Sequence, residues 1–408
     1  MGFNVQFSNN PEIVVCGSIL GINYITINTR IWGTGLHHDD ELPSVKNMNL
    51  IYAVRGKLTL KNLNLSSSCI PIGDPGLLLS RFHKPKKRRI YDICIISHYI
   101  DYKYFINNYG NRYYIINMAT NNIKKIANSI SKCNFIFSSS LHGLIFSHSL
   151  GIPAVHLEYH LLASKNNYKF KDYYSVLNIP YNKEDLKKEN LENIIERYRN
   201  KNKRHKYLPN VSIIKQIQDN LLFTFPYQKM TNVICTYVNQ FNESINEWCK
   251  YHLNLGFDNI YIFNNINNAS EYIGDYLDFK IKKRVHILNI NNNQREKIYF
   301  YNAFYTLFKN NFKWCAFIDI TDSIVSVKRN YLTSLFEHCS SKNISVIKLQ
   351  SYEYKFNKLF QKPIKEKNEI IGNQSKYIVK GSLIGSIGNI FNLSTYNITI
   401  YSKLKWKK

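Results

Sequence analysis

The stretch NFIFSSSLHGLIFSHSLGIPAVHLEY, residues 134–159, decides the fold. A short apolar run, Asn134 to Phe137, meets three serines. Leu141 to Leu150 then has the length and composition of a helix, and Gly151-Ile152-Pro153 leads into a second apolar run. Strand, helix and strand in that order predict a parallel pair with a crossover. The same alternation extends outward. YDICIISHY from Tyr91 and YYIINM (113–118) predict strands, and residues 121–133 predict an amphipathic helix. IVVCGSIL (13–20) predicts a further buried strand. Lys183 to Tyr207 reads as a charged helical tail, and a second helix is expected near Ile213 to Leu222. Pro226 marks a linker. Beyond it VICTYV, NIYIF (259–263), VHILNI (285–290) and KWCAFIDI (313–320) read as strands, with helices over 244–255 and 296–309. A chain of 408 residues exceeds one ordinary core, so two α/β domains, 1–228 and 229–408, are expected.

Composition narrows the function classes. No run of eighteen apolar residues occurs, so no membrane span is expected. MGFNVQFSNN has neither the basic start nor the apolar stretch of a secretory leader, and a cytoplasmic protein is expected. The eight cysteines form no C-x-x-C pair and read as buried, reduced thiols. The net charge of +26 invites an anionic partner, but the lysines are dispersed. Short clusters occur at Lys84–Arg89 and Lys201–Lys206, and no nucleic-acid motif accompanies them, so no specific nucleic acid is expected.

A strand that runs through serines into a helix can bind an anion, because helix N–H groups are free at that end. Ser139 and Ser140 could add hydroxyl donors, and Gly143 could let backbone approach a ligand closely. His142, in the first helical turn, is a candidate general base or neutral donor. Capping alone would equally account for the serines. Other segments tilt the balance: IWGTGL (31–36), YAVRGKLT (52–59), GDPGLLL (73–79), ISHYID (96–101) and KFKDYY (169–174).

In this order the segments resemble the motif set of the polysaccharide pyruvyl transferase family, over about residues 12–175. The resemblance implies a pair of Rossmann-like halves of the GT-B kind, with an active site between them. Because the chain starts after the family's usual opening strand, the N-terminal half is expected to be short. The implied donor is phosphoenolpyruvate, and the acceptor is a glycan or lipid-linked sugar that becomes a pyruvate ketal. No cofactor is implied for this half. Arg55 would be the fork donor to the anionic groups, and Lys169 a second cation. His142, His98 and Asp74 are the catalytic candidates, although Asp74 in Gly73-Asp74-Pro75-Gly76 is also strong turn chemistry.

The second half resembles GT-A glycosyltransferases of the family 2 and family 92 type, over about residues 231–395. Glu247-Trp248, Tyr251-His252, Leu255-Gly256-Phe257-Asp258 and the run Trp314 to Ile320 carry the likeness. Such a domain would bind a nucleotide-sugar through Mn²⁺ or Mg²⁺. Asp319 and Asp322 are the candidate ligands, with Thr321 where a second aspartate is usual. The expected architecture is therefore α/β: a GT-B-like pair followed by a GT-A-like domain. A metal-dependent glycosyltransferase, or a non-catalytic basic protein that binds glycan, are the alternatives.

Overall fold

A computed structural model describes residues 8–65, 70–84, 89–159, 165–227, 230–266, 272–290, 296–320, 324, 331–341, 346–349 and 376–380. The chain divides into two compact units, Met1–Thr224 and Phe225–Lys408.

The first unit holds two sheets. Strands β1 (Ile13–Val14), β2 (Arg30–Trp32) and β3 (Ile51–Ala53) form a three-stranded parallel sheet. Strands β4 (Tyr91–Ser97), β5 (Tyr114–Asn117), β6 (Cys133–Ser138), β7 (Ala154–Glu158) and β8 (Lys183–Asp185) form a five-stranded parallel sheet in the order β5-β4-β6-β7-β8. Helices α1 (Lys57–Asn62), α2 (Leu79–Phe82), α3 (Tyr102–Tyr109), α4 (Ile123–Ile130), α5 (Leu141–Ser149), α6 (Tyr168–Tyr174), α7 (Leu191–Arg197) and α8 (Val211–Phe223) complete it. The central strands are apolar throughout because helices cover both faces of such a sheet. Ile95, Phe135, Phe137 and Leu157 are wholly buried and pack with Leu191 and Ile194 of α7. On α4 the spacing of Ile126, Ala127 and Ile130 turns one face inward, and Asn122 Oδ1 caps the helix by accepting from Lys125 N.

Strands β4, β6 and β7 and helix α5 lie where the sequence predicts them. Three expectations are corrected. The run Ile13–Leu20 is a strand only over Ile13–Val14, because Gly17 at φ +99° turns the chain away. The freed Gly17 carbonyl accepts from Gly35 N at 3.1 Å and Thr34 Oγ1 at 3.0 Å. Residues 183–207 are not one helical tail. They supply the edge strand β8, helix α7 and a 3₁₀ turn at Lys201–Tyr207, and the charge suits an edge that must not pair further. Finally, Cys94 and Cys133 are not reduced thiols: a disulfide joins them across neighbouring strands β4 and β6.

The second unit is one sheet in the order β11-β10-β9-β12-β14-β13, from β9 (Asn232–Val238), β10 (Asn259–Asn264), β11 (Val285–Asn289), β12 (Trp314–Phe317), β13 (Val346–Leu349) and β14 (Lys376–Lys380). The first four are parallel, and β14 runs antiparallel to both neighbours. Helices α9 (Ile245–Leu255), α10 (Ile273–Tyr276), α11 (Lys297–Phe308) and α12 (Tyr331–Ser341) accompany it. Trp314 stacks on Phe336 with ring centroids 5.5 Å apart, in a core shared with Trp248 and Phe257. Both units are thus mixed α/β with parallel strands. Among the described residues no helix is long and apolar enough to cross a membrane.

Candidate active site

In the first unit the loops leaving β3, β4 and β6 at their carboxyl ends carry most of the residues singled out above. That is where open α/β sheets collect ligands. The loop after β3 brings Arg55, and the loop after β6 brings Ser139 and Ser140 into α5. Asp74 opens a 3₁₀ turn, Pro75–Leu78, that packs on α5: a Cβ on Gly76 would lie 2.8 Å from Ile145.

Asp74 is wholly buried. Its Oδ1 accepts from Gly76 N at 2.8 Å, which is the turn role, but its buried Oδ2 has no hydrogen-bond partner among the described residues. Burial pushes this carboxyl above its ordinary value, with His142 and then Gly76 N and Arg55 opposing. Nε2 of His142 is likewise buried without a partner among the described residues. His142 is near enough for its charge to oppose the rise at Asp74, and buried polar atoms left unbonded are costly, so they mark places where a ligand completes the bonding.

His98, at the end of β4, is held by its backbone. Its N–H donates to Ser139 Oγ at 2.8 Å, and Ser139 Oγ donates to Asp101 Oδ2 at 3.0 Å. Nδ1 of His98 has no partner among the described residues. Burial, then the charge of Lys169, hold this imidazole below its ordinary value, with Asp101 opposing. Lys169, half-buried on α6, is itself pushed down by burial and by Arg55. Among the charges that act on His98, Lys169 disfavours its positive form and Asp101 favours it.

Several residues sit differently from the sequence expectation. Arg55 is wholly buried and its fork faces inward. Nε donates to Asp172 Oδ2 at 2.9 Å, Nη1 to Ser18 Oγ at 2.6 Å, and Nη2 to Leu36 O at 2.6 Å. A guanidinium bonded on every nitrogen holds protein rather than substrate. Gly143 lets α5 approach the sheet and not a ligand, since a Cβ there would sit 2.2 Å from Ser138 Oγ. The Ser139 hydroxyl is directed at Asp101. Ser140 occupies the N-cap position of α5 without a side-chain capping bond, so capping does not use its hydroxyl. His148, further along α5, is buried with Nδ1 3.0 Å from Tyr173 Oη.

Asp172 was not among the nominated residues, although it stands in KFKDYY. It is wholly buried and fully bonded: Oδ1 accepts from Leu58 N and Thr59 N at 2.9 Å, and Oδ2 from Arg55 Nε and, at 2.7 Å, from Thr59 Oγ1. Gly56, the N-cap of α1, has no side chain to cap with, so Asp172 supplies the cap from α6. A Cβ on Gly56 would lie 2.0 Å from the Asp172 carbonyl, and one on Gly35 would lie 2.6 Å from Arg55 Cζ. The motif glycines thus make room for this ion pair. Gly56→Ala should lower stability by about 1–3 kcal/mol, read as a drop in thermal midpoint.

In the second unit, Asp319 follows β12. Its Oδ2 is 2.8 Å from Lys297 Nζ, and Tyr301 Oη is 3.4 Å from Oδ1. Asp322 lies outside the described residues. Among the described residues no group of three or more His, Cys, Asp or Glu could hold a metal ion.

Residues 43–161 match the family model of polysaccharide pyruvyl transferases. The matched segment contains Arg55, Asp74, His98, Ser139, Ser140, His142 and Gly143, and it ends before Lys169 and Asp172. The chain is also similar to an uncharacterized protein of Acanthamoeba polyphaga mimivirus, with 34% identity over 180 residues, 42% of this chain and 61% of the relative. It therefore spans about three-fifths of that relative's length.

Proposed function

We propose that the first unit transfers a pyruvyl group from phosphoenolpyruvate to a sugar of a glycan or lipid-linked saccharide. Two buried, unbonded atoms carry this reading, Asp74 Oδ2 and His142 Nε2, on groups whose charges act on one another. The donor's vinyl carbon takes up a proton and becomes a methyl group. Two sugar oxygens bond to the neighbouring carbon, and its bond to the phosphate oxygen breaks. Of the two hydroxyl protons released, one balances the methyl group and the other leaves with inorganic phosphate.

His142 accepts the proton of the attacking hydroxyl at Nε2, and Asp74 holds the resulting imidazolium. Lys169 and the N–H groups at the start of α5 face the donor's negative charge. His98 is neutral when unbound and serves as the second proton carrier.

Acceptor-dependent phosphate release from phosphoenolpyruvate, over a panel of glycans, tests the reading. Release with some acceptor supports it, and none with any acceptor would overturn it. The pH profile adds a sharper check. Because burial and Lys169 hold His98 below its ordinary 6.5, the part of the acid limb of kcat/KM that is lost in His98→Gln should lie below pH 6.5. A profile unchanged in His98→Gln removes His98 from the mechanism.

A further inference from the structure

The loop that carries His98 joins β4 to α3, and it is a closed turn. Asp101 N donates to His98 O at 2.9 Å. The Ser139 hydroxyl ties both ends, accepting from His98 N at 2.8 Å and donating to Asp101 Oδ2 at 3.0 Å. Phe105, wholly buried, anchors the helix that follows, and its N–H donates to Asp101 O at 3.1 Å. The two central positions of the turn are Tyr99 and Ile100. Turns favour Gly, Pro, Asn, Asp or Ser there. Here they carry large apolar side chains that are 64% and 47% exposed. The Tyr99 ring lies against the imidazole of His98, with centroids 4.5 Å apart. The proton transfers described above make no use of it.

Two more rings stand on the same edge of the sheet. Tyr104 is in the first turn of α3, and Tyr159 directly follows β7. They are half-buried and stacked, with centroids 4.0 Å apart and 15° between their planes. Burial, Tyr104 and Asp101 all raise the Tyr159 phenol above its ordinary value, which places the pair near the end of the turn. The carboxyl edge beside His98 therefore offers aromatic faces from three segments.

We propose that Tyr99 is the platform for the acceptor sugar: a pyranose lies with its C–H face on this ring and its hydroxyl edge toward His98. A sugar such as β-galactose or β-glucose has a face of weakly positive C–H bonds, and an aromatic ring is negative on its face. Stacking by that face leaves most of the hydroxyls at the rim, where a ketal needs two of them. The stacked Tyr104 and Tyr159 receive a further residue of the chain. Nucleobases also stack on exposed rings, but a base has no pair of hydroxyls to bring to His98. The proposal deepens the transfer reading by naming how the acceptor is held. It rests on that reading for the sugar's role, not for its binding.

The test uses the full chain without phosphoenolpyruvate. The probes are cellotetraose, a tetramer of β-linked galactose, and a short single-stranded DNA. Tyr99 is exposed, so Tyr99→Ala should fold, and its melting temperature is measured beside binding. It should bind the saccharide that wild type binds about tenfold more weakly, whereas Tyr99→Trp, which keeps a ring, retains the affinity. Tyr24→Ala, which removes an exposed ring between β1 and β2, should bind as wild type does. Equal affinity in wild type and Tyr99→Ala, no binding of either saccharide, or DNA bound more tightly than both would overturn the proposal. Saccharide binding lost in Tyr99→Ala, with no phosphate release on any acceptor, leaves the platform standing and removes the transfer reading. Phosphate release whose acceptor KM is unchanged in Tyr99→Ala does the reverse.

Discussion

Asp172→Ala should destabilise the first unit by about 3–5 kcal/mol, the usual loss when one partner of a buried ion pair is removed. At the size of this unit that corresponds to a fall in thermal midpoint of roughly 6–20 °C. The figure belongs at the upper end because three effects coincide. Arg55 is left as an uncompensated charge with no exposure to water, Leu58 and Thr59 N–H lose their cap, and Thr59 Oγ1 loses its acceptor. Thermal denaturation of wild type, Asp172→Ala, Arg55→Ala and the double variant would measure the coupling. If the two single losses simply add, the pair is not the structural unit described here. The double variant should remain unstable, because α1 still lacks its cap. It also follows that lost activity in Arg55→Ala says nothing about substrate binding unless folding is measured beside it.

His142→Ala should reduce acceptor-dependent phosphate release by about 10²–10⁴-fold with little loss of stability, the range for removing a general base. Asp74→Asn should also reduce activity but leave the melting temperature at pH 7 no lower than wild type. The sign follows from burial, which pushes Asp74 above its ordinary carboxyl value. A carboxyl that holds its proton more tightly when folded loses stability as pH rises through its folded value, so the loss is present at neutrality. Asparagine keeps an oxygen for Gly76 N and removes that loss. A large fall in midpoint for Asp74→Asn, or unchanged turnover in His142→Ala, would sink the assignment.

The strands and helix around residues 134–159 were legible because a buried parallel strand is apolar on both faces and its length is visible. The run Ile13–Leu20 looks equally apolar, yet the chain bends at Gly17 to present a carbonyl and the Ser18 hydroxyl to residues further on. Local hydropathy carries no trace of that demand. Arg55 failed for a similar reason. Its type and motif suggest an anion ligand, but its carboxylate partner is 117 residues away. The bond between Cys94 and Cys133 escaped because strand adjacency, not cysteine spacing, brings them together. The places of His142 in a first helical turn and of Asp74 in a turn were legible because such features announce themselves within a few residues.

The cap that α6 lends to α1 spans 113 residues of sequence. A ribosome that has released the whole of β3 and α1 has not yet made the carboxylate that neutralises Arg55, nor will it until residue 172 has left the exit tunnel. The three-stranded sheet, whose strands end at residue 53, therefore waits for a carboxylate made just before β8, the last strand of the larger sheet. A fragment cut between α1 and α6 leaves a guanidinium with nothing to answer it.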